Sequence, residues 1–289
     1  MILVVGATGN TGRETVPRLL ERGIAVRALT RDPERARALP GFGGAEIVAG
    51  DPARPETLGP AMQGVTKVFL IPPSGPGSDT SEGNVIEAAR AAGVRHIVKL
   101  SALCADPSAP SMALSHNFRG EQILKSSGIP YTILRPSSFM QNFSLFFAPS
   151  IRSEGSVYSS LGEARMAVID IRDIAEVAVK VLTSEGHEGK TYDLTGPESL
   201  TYAEAAEKLG AAIGRPVRYI DLPAPVYEQA LCGLGIPPFI AAEVLNIYGR
   251  GPYREGKAAS VSSSVVDLLG RPARTFSEFA RDHAAYFLP

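Results

Sequence analysis

A short strand pattern that runs directly into three spaced glycines is the feature that most constrains this fold. The β-branched and apolar run Ile2–Val5 is followed by Gly6, Gly9 and Gly12, and a helical pattern begins at once. Backbone N–H groups and the positive end of a helix meet at such a turn, where a dinucleotide pyrophosphate binds. We expect Gly6 to form the tight turn, Gly9 to let the backbone approach the phosphates, and Gly12 to let helix and strand pack closely. The segment therefore predicts a dinucleotide site rather than a bare structural turn.

Length, charge and cysteine content limit the class of protein. The 289 residues suffice for one α/β nucleotide-binding core and a smaller appended region, and the net charge of −1 argues against nucleic acid or an anionic membrane as the main partner. Cys104 and Cys232 have no CxxC or His-rich companion, so we expect no disulfide framework and no metal site, and a cytoplasmic location fits best. The first strand begins at Ile2, which leaves no room for a signal peptide. The apolar window 226–245 contains two glutamates and a Pro-Pro pair, so we expect no membrane span.

Short apolar runs alternate with helical patterns, which is the signature of a parallel sheet wound with helices. The predicted strands are 2–5, 25–29, 46–49, 65–71, 96–100, 131–134, 166–171 and 191–194, and the predicted helices among them include 34–39, 85–92, 116–126 and 174–182. Asp32-Pro33 is predicted to be an N-cap followed by proline at the first helical position, and Pro17 to bend or shorten the first helix. The fold class is therefore α/β, a Rossmann-type doubly wound parallel sheet.

The last third of the chain has a different character. After Gly196-Pro197 helical segments dominate, among them 202–213, 226–231 and 276–287. We predict that residues 1–150 form the dinucleotide-binding Rossmann domain, completed by about 166–196. Residues 197–289, with about 151–165, are expected to form a smaller, mostly helical cap over the carboxyl ends of the strands, where the ligands of such sheets bind.

The end of the second predicted strand indicates which dinucleotide is bound. Proteins that bind NAD usually hold the ribose with an acidic residue about 20 residues past the glycines, and this chain has Thr30-Arg31-Asp32 there. Arg31 can make a bidentate contact with a 2′-phosphate that an acid would repel, whereas Asp32 is already needed as an N-cap. We predict NADP(H), with Arg31 as a plain surface residue at the sheet edge as the alternative.

Other polar residues near these turns are candidate cofactor contacts. Thr8, Asn10 and Thr11 lie in the glycine-rich loop and are expected to bond the phosphates. Asp51, just past the third predicted strand, is expected to face the adenine, and the alternative is an ordinary turn residue.

Several motifs, taken in order along nearly the whole chain, carry a family resemblance. They are Gly-Ala-Thr-Gly-Asn-Thr-Gly at 6–12, Thr-Arg at 30–31, Gly-Asp at 50–51, Gly-Val at 64–65, Gly-Ile-Pro-Tyr-Thr-Ile-Leu-Arg-Pro at 128–136, Phe-Met-Gln-Asn at 139–142, Asp-Ile-Ala at 173–175 and Gly-Lys-Thr-Tyr-Asp-Leu-Thr-Gly at 189–196. The chain resembles the NmrA-like, atypical short-chain dehydrogenase/reductase group, which includes NADPH quinone reductases, triphenylmethane-dye reductases and NADP-sensing regulators. The resemblance implies that Ile71, Pro72, Pro136 and Ser138 contact the nicotinamide end of the cofactor.

One departure from the wider superfamily bears on the chemistry. Standard members carry a Tyr-x-x-x-Lys pair on the helix after the fifth strand, where the Tyr exchanges a proton with the substrate oxygen. In this chain the Tyr position falls on Met112 or Ala113 and the Lys position on His116 or Asn117, depending on a one-residue shift. The usual alcohol dehydrogenase machinery is therefore absent from the sequence, as it is in atypical relatives.

Without that phenol, hydride transfer needs an acceptor that stabilises its own negative charge. Quinones, extended enones and cationic imines or dyes meet this requirement, and the protein then has mainly to hold the acceptor close to the nicotinamide in a dry pocket. The aromatic and sulfur-containing side chains that are candidates to line such a pocket are Phe139, Met140, Phe143, Phe146, Phe147 and Phe239. Ordinary core packing is the alternative for each of them.

Ser101 and His116 are the candidate catalytic residues. Ser101 ends the fifth predicted strand, where the superfamily has its catalytic Ser, and it either bonds a substrate oxygen or satisfies a strand-end backbone group. The imidazole of His116 can donate a proton near neutral pH, and the alternative is a capping or solvated His at a helix end. Asn142 resembles the Asn of the family's Phe-Met-x-Asn motif, and it is expected either to orient the nicotinamide or to close a loop.

Two functions from different classes fit these features. The first is an NADPH-dependent reductase of quinones or similarly conjugated small molecules, acting by direct hydride transfer. The second is a redox sensor that binds NADP(H) without turnover and acts through a protein partner. The sequence shows no appended partner-binding segment, charged tail or linker, which favours the enzyme, and it leaves a homodimer open.

Overall fold

The computed structural model describes residues 1–73 and 75–289. Its contacts divide the chain into two compact units, and neither unit is continuous in sequence. Unit 1 comprises Met1–Pro107, Ser115–Pro136 and Ile171–Asp193, and unit 2 comprises Ser108–Leu114, Ser137–Asp170 and Leu194–Pro289.

The main division between the units falls after Pro136 and not at residue 150 as the sequence indicated. The physical reason lies in the backbone just past this point. The N–H of Met140 donates to the carbonyl of Ile169 at 2.8 Å, and the N–H of Ser137 donates to the carbonyl of Leu194 at 2.9 Å. Residues 137–150 therefore fold with later segments, and residues 166–170 belong with them in unit 2.

Unit 1 is built on a parallel sheet that contains seven strands within the described residues, in the order β3-β2-β1-β4-β5-β6-β8. The strands are β1 Ile2–Val5, β2 Val26–Thr30, β3 Glu46–Ala49, β4 Lys67–Leu70, β5 His96–Leu100, β6 Tyr131–Pro136 and β8 Lys190–Leu194. Every residue of β1, β2 and β5 is buried, as expected of parallel strands covered on both faces. The order reverses between β1 and β4, so the predicted Rossmann-type fold class is confirmed.

The helices lie largely where the periodicity predicted them. They are α1 Asn10–Glu21, α2 Pro33–Arg37, α3 Leu58–Ala61, α4 Ser78–Ala91, α5 Met112–Ser126, α6 Ala148–Glu154, α7 Ile171–Thr183, α8 Tyr202–Ile213, α9 Ala224–Gly233, α10 Pro238–Val244, α11 Ser264–Leu269 and α12 Phe276–Asp282. Asp32 caps α2 by accepting from the N–H of Arg35 at 3.0 Å, which confirms the predicted N-cap. Helix α1 continues through Pro17 to Glu21, so the expected shortening does not occur.

Unit 2 has its own small core. Strands β7 Ser156–Ser159 and β9 Arg218–Asp221 form a parallel pair. Neither strand was predicted, because both mix polar and apolar residues. The predicted strand 166–171 is wrong, because that segment makes only isolated bridges within the described chain. Two π-helical turns, Phe143–Phe147 and Leu245–Gly249, interrupt the regular helices of this unit.

Helix α1 packs very closely against the end of β1. A Cβ on Gly12 would lie 2.4 Å from the carbonyl oxygen of Ala7 and 2.5 Å from that of Gly6. Both neighbours are backbone atoms, which cannot turn aside as a flexible side chain would. The predicted role of Gly12 in close helix–strand packing therefore follows directly from the geometry.

We expect Gly12→Ala to lower the free energy of unfolding by about 1–3 kcal/mol, because overpacking against backbone forces α1 away from β1. Gly83→Ala on α4 is the matched control, since its Cβ would meet only Ile123 Cδ1, at an ordinary 3.9 Å, and alanine favours a helix interior. Urea unfolding of both variants measures the difference. Equal stabilities would contradict the packing argument.

Candidate active site

The loop from β1 to α1 has the geometry of an anion cradle. Gly6 has φ +75°, and a Cβ there would lie 2.8 Å from the carbonyl oxygen of Ile71. Gly9 is the N-cap of α1, no side chain caps this end, and the first turn contains no acidic residue. The first-turn N–H groups of a helix have no intrahelical partner and concentrate positive potential. The loop therefore fits the pyrophosphate of a dinucleotide.

The polar side chains of this loop differ in exposure. Asn10 is exposed and Thr8 is partly exposed, so both are placed to reach a ligand. Thr11 is 3% exposed, so we expect its backbone N–H, rather than its hydroxyl, to bind the phosphates. Arg13 is held against the loop by a bond from its Nε to the carbonyl of Thr8 at 2.8 Å.

Arg31 and Asp51 follow β2 and β3. Arg31 is exposed, and its guanidinium has no hydrogen-bond or ion-pair partner among residues 1–73 and 75–289. Asp51 accepts from the N–H of Ala53 at 3.0 Å, and its own N–H bonds the Thr57 hydroxyl at 3.0 Å. These bonds favour the turn alternative for Asp51, whereas Arg31 stays available to a phosphate.

At the end of β4, Ile71 lies beside the glycine-rich loop. Its N–H donates to the carbonyl of Val5 at 3.2 Å, and its own carbonyl faces Gly6. Ile71 and Pro72 are partly exposed. The structure thus brings these two predicted contacts to the loop of Gly6, Gly9 and Gly12.

Ser101, at the carboxyl end of β5, is hydrogen-bonded to a buried carboxylate. Its hydroxyl donates to Glu121 Oε1 at 2.6 Å. Arg135 makes a bidentate contact with the same carboxylate, from Nε to Oε1 at 2.8 Å and from Nη2 to Oε2 at 2.6 Å. Burial opposes ionisation, but the bonds from Arg135 and Ser101 outweigh it and hold the pKa of Glu121 below its usual range. The only proton of Ser101 is therefore engaged inside the protein. The predicted bond to a substrate oxygen is not favoured by this arrangement.

A second ion pair lies deeper in unit 1. Lys99 Nζ is 2.5 Å from Glu82 Oε2, both side chains are fully buried, and Nζ also donates to Asn117 Oδ1 at 3.2 Å. Burial raises the pKa of Glu82 and lowers that of Lys99, and their mutual attraction opposes both shifts. The carboxylate fills the space where a Cβ of Gly120 would stand, at 2.3 Å. This pair joins α4, β5 and α5.

The other predicted catalytic residue, His116, lies near the first turn of α4. Its Nδ1 is 3.8 Å from Asp79 Oδ1, too long for a hydrogen bond, and the same carboxylate binds Arg119 at 2.6 Å. Burial raises the pKa of Asp79, but Arg119 and His116 outweigh it and lower the pKa overall. The imidazole is 9% exposed, so it is a largely enclosed neighbour of a carboxylate.

The predicted substrate-lining residues divide by burial within unit 2. Met140 is fully buried, and Phe143 packs its ring at 4.8–5.4 Å against three other aromatic rings, those of Phe147, Tyr202 and Phe276. For Met140, Phe143 and Phe147, burial therefore favours the core-packing alternative. Phe139 is partly exposed, and Phe146 and Phe239 are 60% and 55% exposed.

Ser138 and Asn142 come together with a tyrosine that the sequence did not single out. Ser138 Oγ lies 2.9 Å from the hydroxyl of Tyr248 and accepts from Asn142 Nδ2 at 3.2 Å. Asn142 also bonds the Tyr248 hydroxyl. Ser138 is 7% exposed, and the other two are partly exposed.

Five residues of these polar clusters carried no predicted role from the sequence: Glu82, Lys99, Glu121, Arg135 and Tyr248. For Lys99 a signal existed, since it places a cation inside the predicted strand 96–100, and a buried charge demands a partner. Arg135 directly follows the predicted strand 131–134 and gave a weaker signal. Tyr248 gave no such signal, because it lies in an apolar segment without a motif.

Comparison with known proteins identifies the family. Residues 6–185 match a family model described as NAD(P)H-binding. The chain belongs to this NAD(P)H-binding family, and its fold and motifs place it with the NmrA-like reductases. It is an NAD(P)H-dependent oxidoreductase, so the predicted enzyme class and the predicted nicotinamide cofactor are confirmed.

Three similar proteins are informative. The chain is 42% identical over 287 residues to an NAD(P)H azoreductase of Xenophilus azovorans, with 99% of each chain covered. It is 41% identical over 290 residues to a (4-alkanoyl-5-oxo-2,5-dihydrofuran-3-yl)methyl phosphate reductase of Streptomyces griseus, with both covered fully. An NADPH-dependent quinone oxidoreductase of Escherichia coli, solved with NADPH, superposes with a TM-score of 0.90 at 31% identity, covering 99% of this chain and 100% of that one.

Within residues 1–73 and 75–289, no group of three or more His, Cys, Asp or Glu side chains is arranged to hold a metal ion. Of the helices that the structure describes, none combines the length and the apolar character needed to cross a membrane.

Glu121→Gln is expected to lower the free energy of unfolding by about 3–5 kcal/mol at neutral pH, because it leaves Arg135 without its buried counter-charge. The folded pKa of Glu121 lies below the unfolded value, so its contribution is present above about pH 4.5 and is lost as pH falls through the folded pKa. The gap between wild type and variant should therefore shrink in acid.

Urea unfolding from neutral pH to about pH 3 measures this gap. The matched control is Glu87→Gln, an exposed partner of Arg90 on the surface of α4, for which we expect a change of at most about 1 kcal/mol. A gap that stays constant with pH would contradict a role for the Glu121 charge.

Proposed function

We propose that this protein uses NADPH to reduce a quinone, or a similarly conjugated small molecule, by direct hydride transfer. Bound nicotinamide supplies the hydride, and the chain supplies binding, orientation and exclusion of water. The azoreductase and the quinone oxidoreductase described above support this class of acceptor, and so does the reductase whose named substrate is a conjugated furanone phosphate.

The observation that carries the proposal is what occupies the end of β5 and the start of α5. In place of a phenol and a lysine, this region holds Ser101 bound to Glu121 and a helix that begins Met112-Ala113. Ser101 has no spare proton for an alkoxide. An acceptor whose conjugation or positive charge stabilises the electrons of the hydride fits a site in which Ser101 supplies no proton.

The cofactor preference follows from Arg31. Its exposed and unpartnered guanidinium stands one residue after β2, where the ribose of a dinucleotide is held in this fold. A 2′-phosphate there gains a charge-assisted bond, and Asp32 is occupied as the cap of α2. We therefore propose a preference for NADPH over NADH, with Thr8, Asn10 and the N–H groups of the loop holding the pyrophosphate.

Arg31→Ala is expected to weaken NADPH binding about 10- to 100-fold, the value of a charge-assisted bond, and to leave NADH binding unchanged. Arg37→Ala is the control, because that exposed guanidinium is already paired with Glu34 on the surface of α2. Titration calorimetry with each dinucleotide gives both constants. Equal losses for NADPH and NADH would remove the assignment to the 2′-phosphate.

The proposed activity is tested by NADPH consumption with purified protein across quinones, azo compounds, enones and cationic dyes, with NADH in parallel. Saturable, NADPH-selective turnover of one acceptor class is the expected result. Tight NADPH binding without turnover of any acceptor would favour the alternative, a redox sensor that acts through a protein partner. The cytoplasmic location and a homodimer stay predictions.

A further inference from the structure

Three side chains of unit 2, those of Ser138, Asn142 and Tyr248, form a hydrogen-bonded polar group. Asn142 Nδ2 donates to Ser138 Oγ at 3.2 Å, and Ser138 Oγ lies 2.9 Å from the Tyr248 hydroxyl. A serine hydroxyl has one proton and can accept as well as donate. When Ser138 accepts from Asn142 and donates to Tyr248, the phenolic proton of Tyr248 remains available to a further acceptor.

The backbone around this group has an uncommon form. Asn142 directly precedes the π-helical turn Phe143–Phe147, and Tyr248 lies within the π-helical turn Leu245–Gly249. Such turns are rare and are found frequently at functional sites. Two of the three side chains are thus set by irregular helix geometry, while the ring of Tyr248 is fixed by an edge-on contact with Tyr253 at 5.3 Å.

The electrostatics keep the phenol protonated. Burial raises the pKa of Tyr248, and the bonds from Ser138 and Asn142 oppose this rise without cancelling it. Near neutral pH the hydroxyl is therefore a neutral donor. Of the two catalytic residues predicted from sequence, Ser101 donates its hydroxyl hydrogen bond to Glu121, and His116 faces Asp79 across 3.8 Å.

We propose that Tyr248 donates a proton to the acceptor heteroatom on which negative charge develops, and that Ser138 and Asn142 are positioning residues for its hydroxyl. This inference rests on the reductase function proposed above. Hydride transfer adds two electrons and one hydrogen to the acceptor. The O–H bond of Tyr248 then breaks, an O–H or N–H bond forms on the reduced quinone or azo group, and solvent returns a proton to the tyrosinate.

The proposal separates acceptors by their need for a proton. A quinone or an azo compound becomes anionic when it takes a hydride and must then be protonated. A cationic triarylmethyl dye becomes neutral when a hydride adds to its central carbon, and no proton is required. Tyr248 should therefore matter for the first group and not for the second.

The test compares wild type, Tyr248→Phe and Tyr227→Phe with NADPH and two acceptors, a quinone and a cationic triarylmethyl dye. In Tyr248→Phe we expect quinone turnover to fall about 100-fold, in the range of general acid catalysis, while dye turnover and the NADPH dissociation constant stay within about twofold of wild type. Tyr227 is the control, because it is a buried tyrosine of the same unit whose hydroxyl bonds Ser159. The solvent isotope effect on quinone reduction should be present in wild type and absent in Tyr248→Phe.

Ser138→Ala is the second variant, and it should lower the ratio of quinone to dye turnover in the same direction by a smaller factor. Equal losses on both acceptors, or no loss on the quinone, would overturn the role of Tyr248. So would a selective quinone loss in His116→Ala with Tyr248→Phe unaffected. Failure of the proposed function is distinct, since wild type would then turn over neither acceptor.

Discussion

The approach of helix α1 to the end of β1 is the constraint on which the rest of unit 1 depends. No side-chain atom fits at Gly12, because the carbonyl groups of Gly6 and Ala7 already occupy that space. This contact sets the direction in which α1 leaves the sheet, and α1 then packs along α7. The same contact points the uncapped first turn of α1 at the ligand side of the loop. One contact therefore determines both the packing of α1 on β1 and the shape of the phosphate-binding loop, so a change in the first would also change the second.

Behind this loop, the interior of unit 1 is held by ions as well as by apolar side chains. The pairs Lys99–Glu82 and Arg135–Glu121 each place a fully buried carboxylate beside a strand end. Buried ion pairs add little to net stability, but removal of one partner is costly. Glu121 also binds Ser101. The end of β5, which carries a catalytic residue in standard short-chain dehydrogenases, is therefore held in this chain by buried hydrogen bonds. This arrangement does not favour Ser101 as the proton donor.

Sequence periodicity located β1, β3, β5 and α8 to the residue, because short runs bounded by turn residues and, for α8, the N-cap Thr201 leave few alternatives. The glycine-rich loop and Arg31 were also predictable, since each rests on local backbone and charge. The buried ion pairs were not, because their partners are distant in sequence: Arg135 meets Glu121 only after β6 has joined the sheet. Burial of Phe143 was hidden for the same reason, since its aromatic neighbours include Tyr202 and Phe276.

The π-helical turns that bracket the Tyr248 group have a consequence for how such a protein can diversify. Successive residues of an α-helix differ in side-chain direction by about 100°. Gain or loss of one residue in Leu245–Gly249 would therefore change the direction in which a side chain of that turn points. The number of residues in this turn, more than their identity, would then determine which side chain faces the bound molecule. A family could shift its range of acceptors by single-residue insertions and deletions in Leu245–Gly249, because no residue of that turn belongs to the aromatic cluster of Phe143, Phe147, Tyr202 and Phe276.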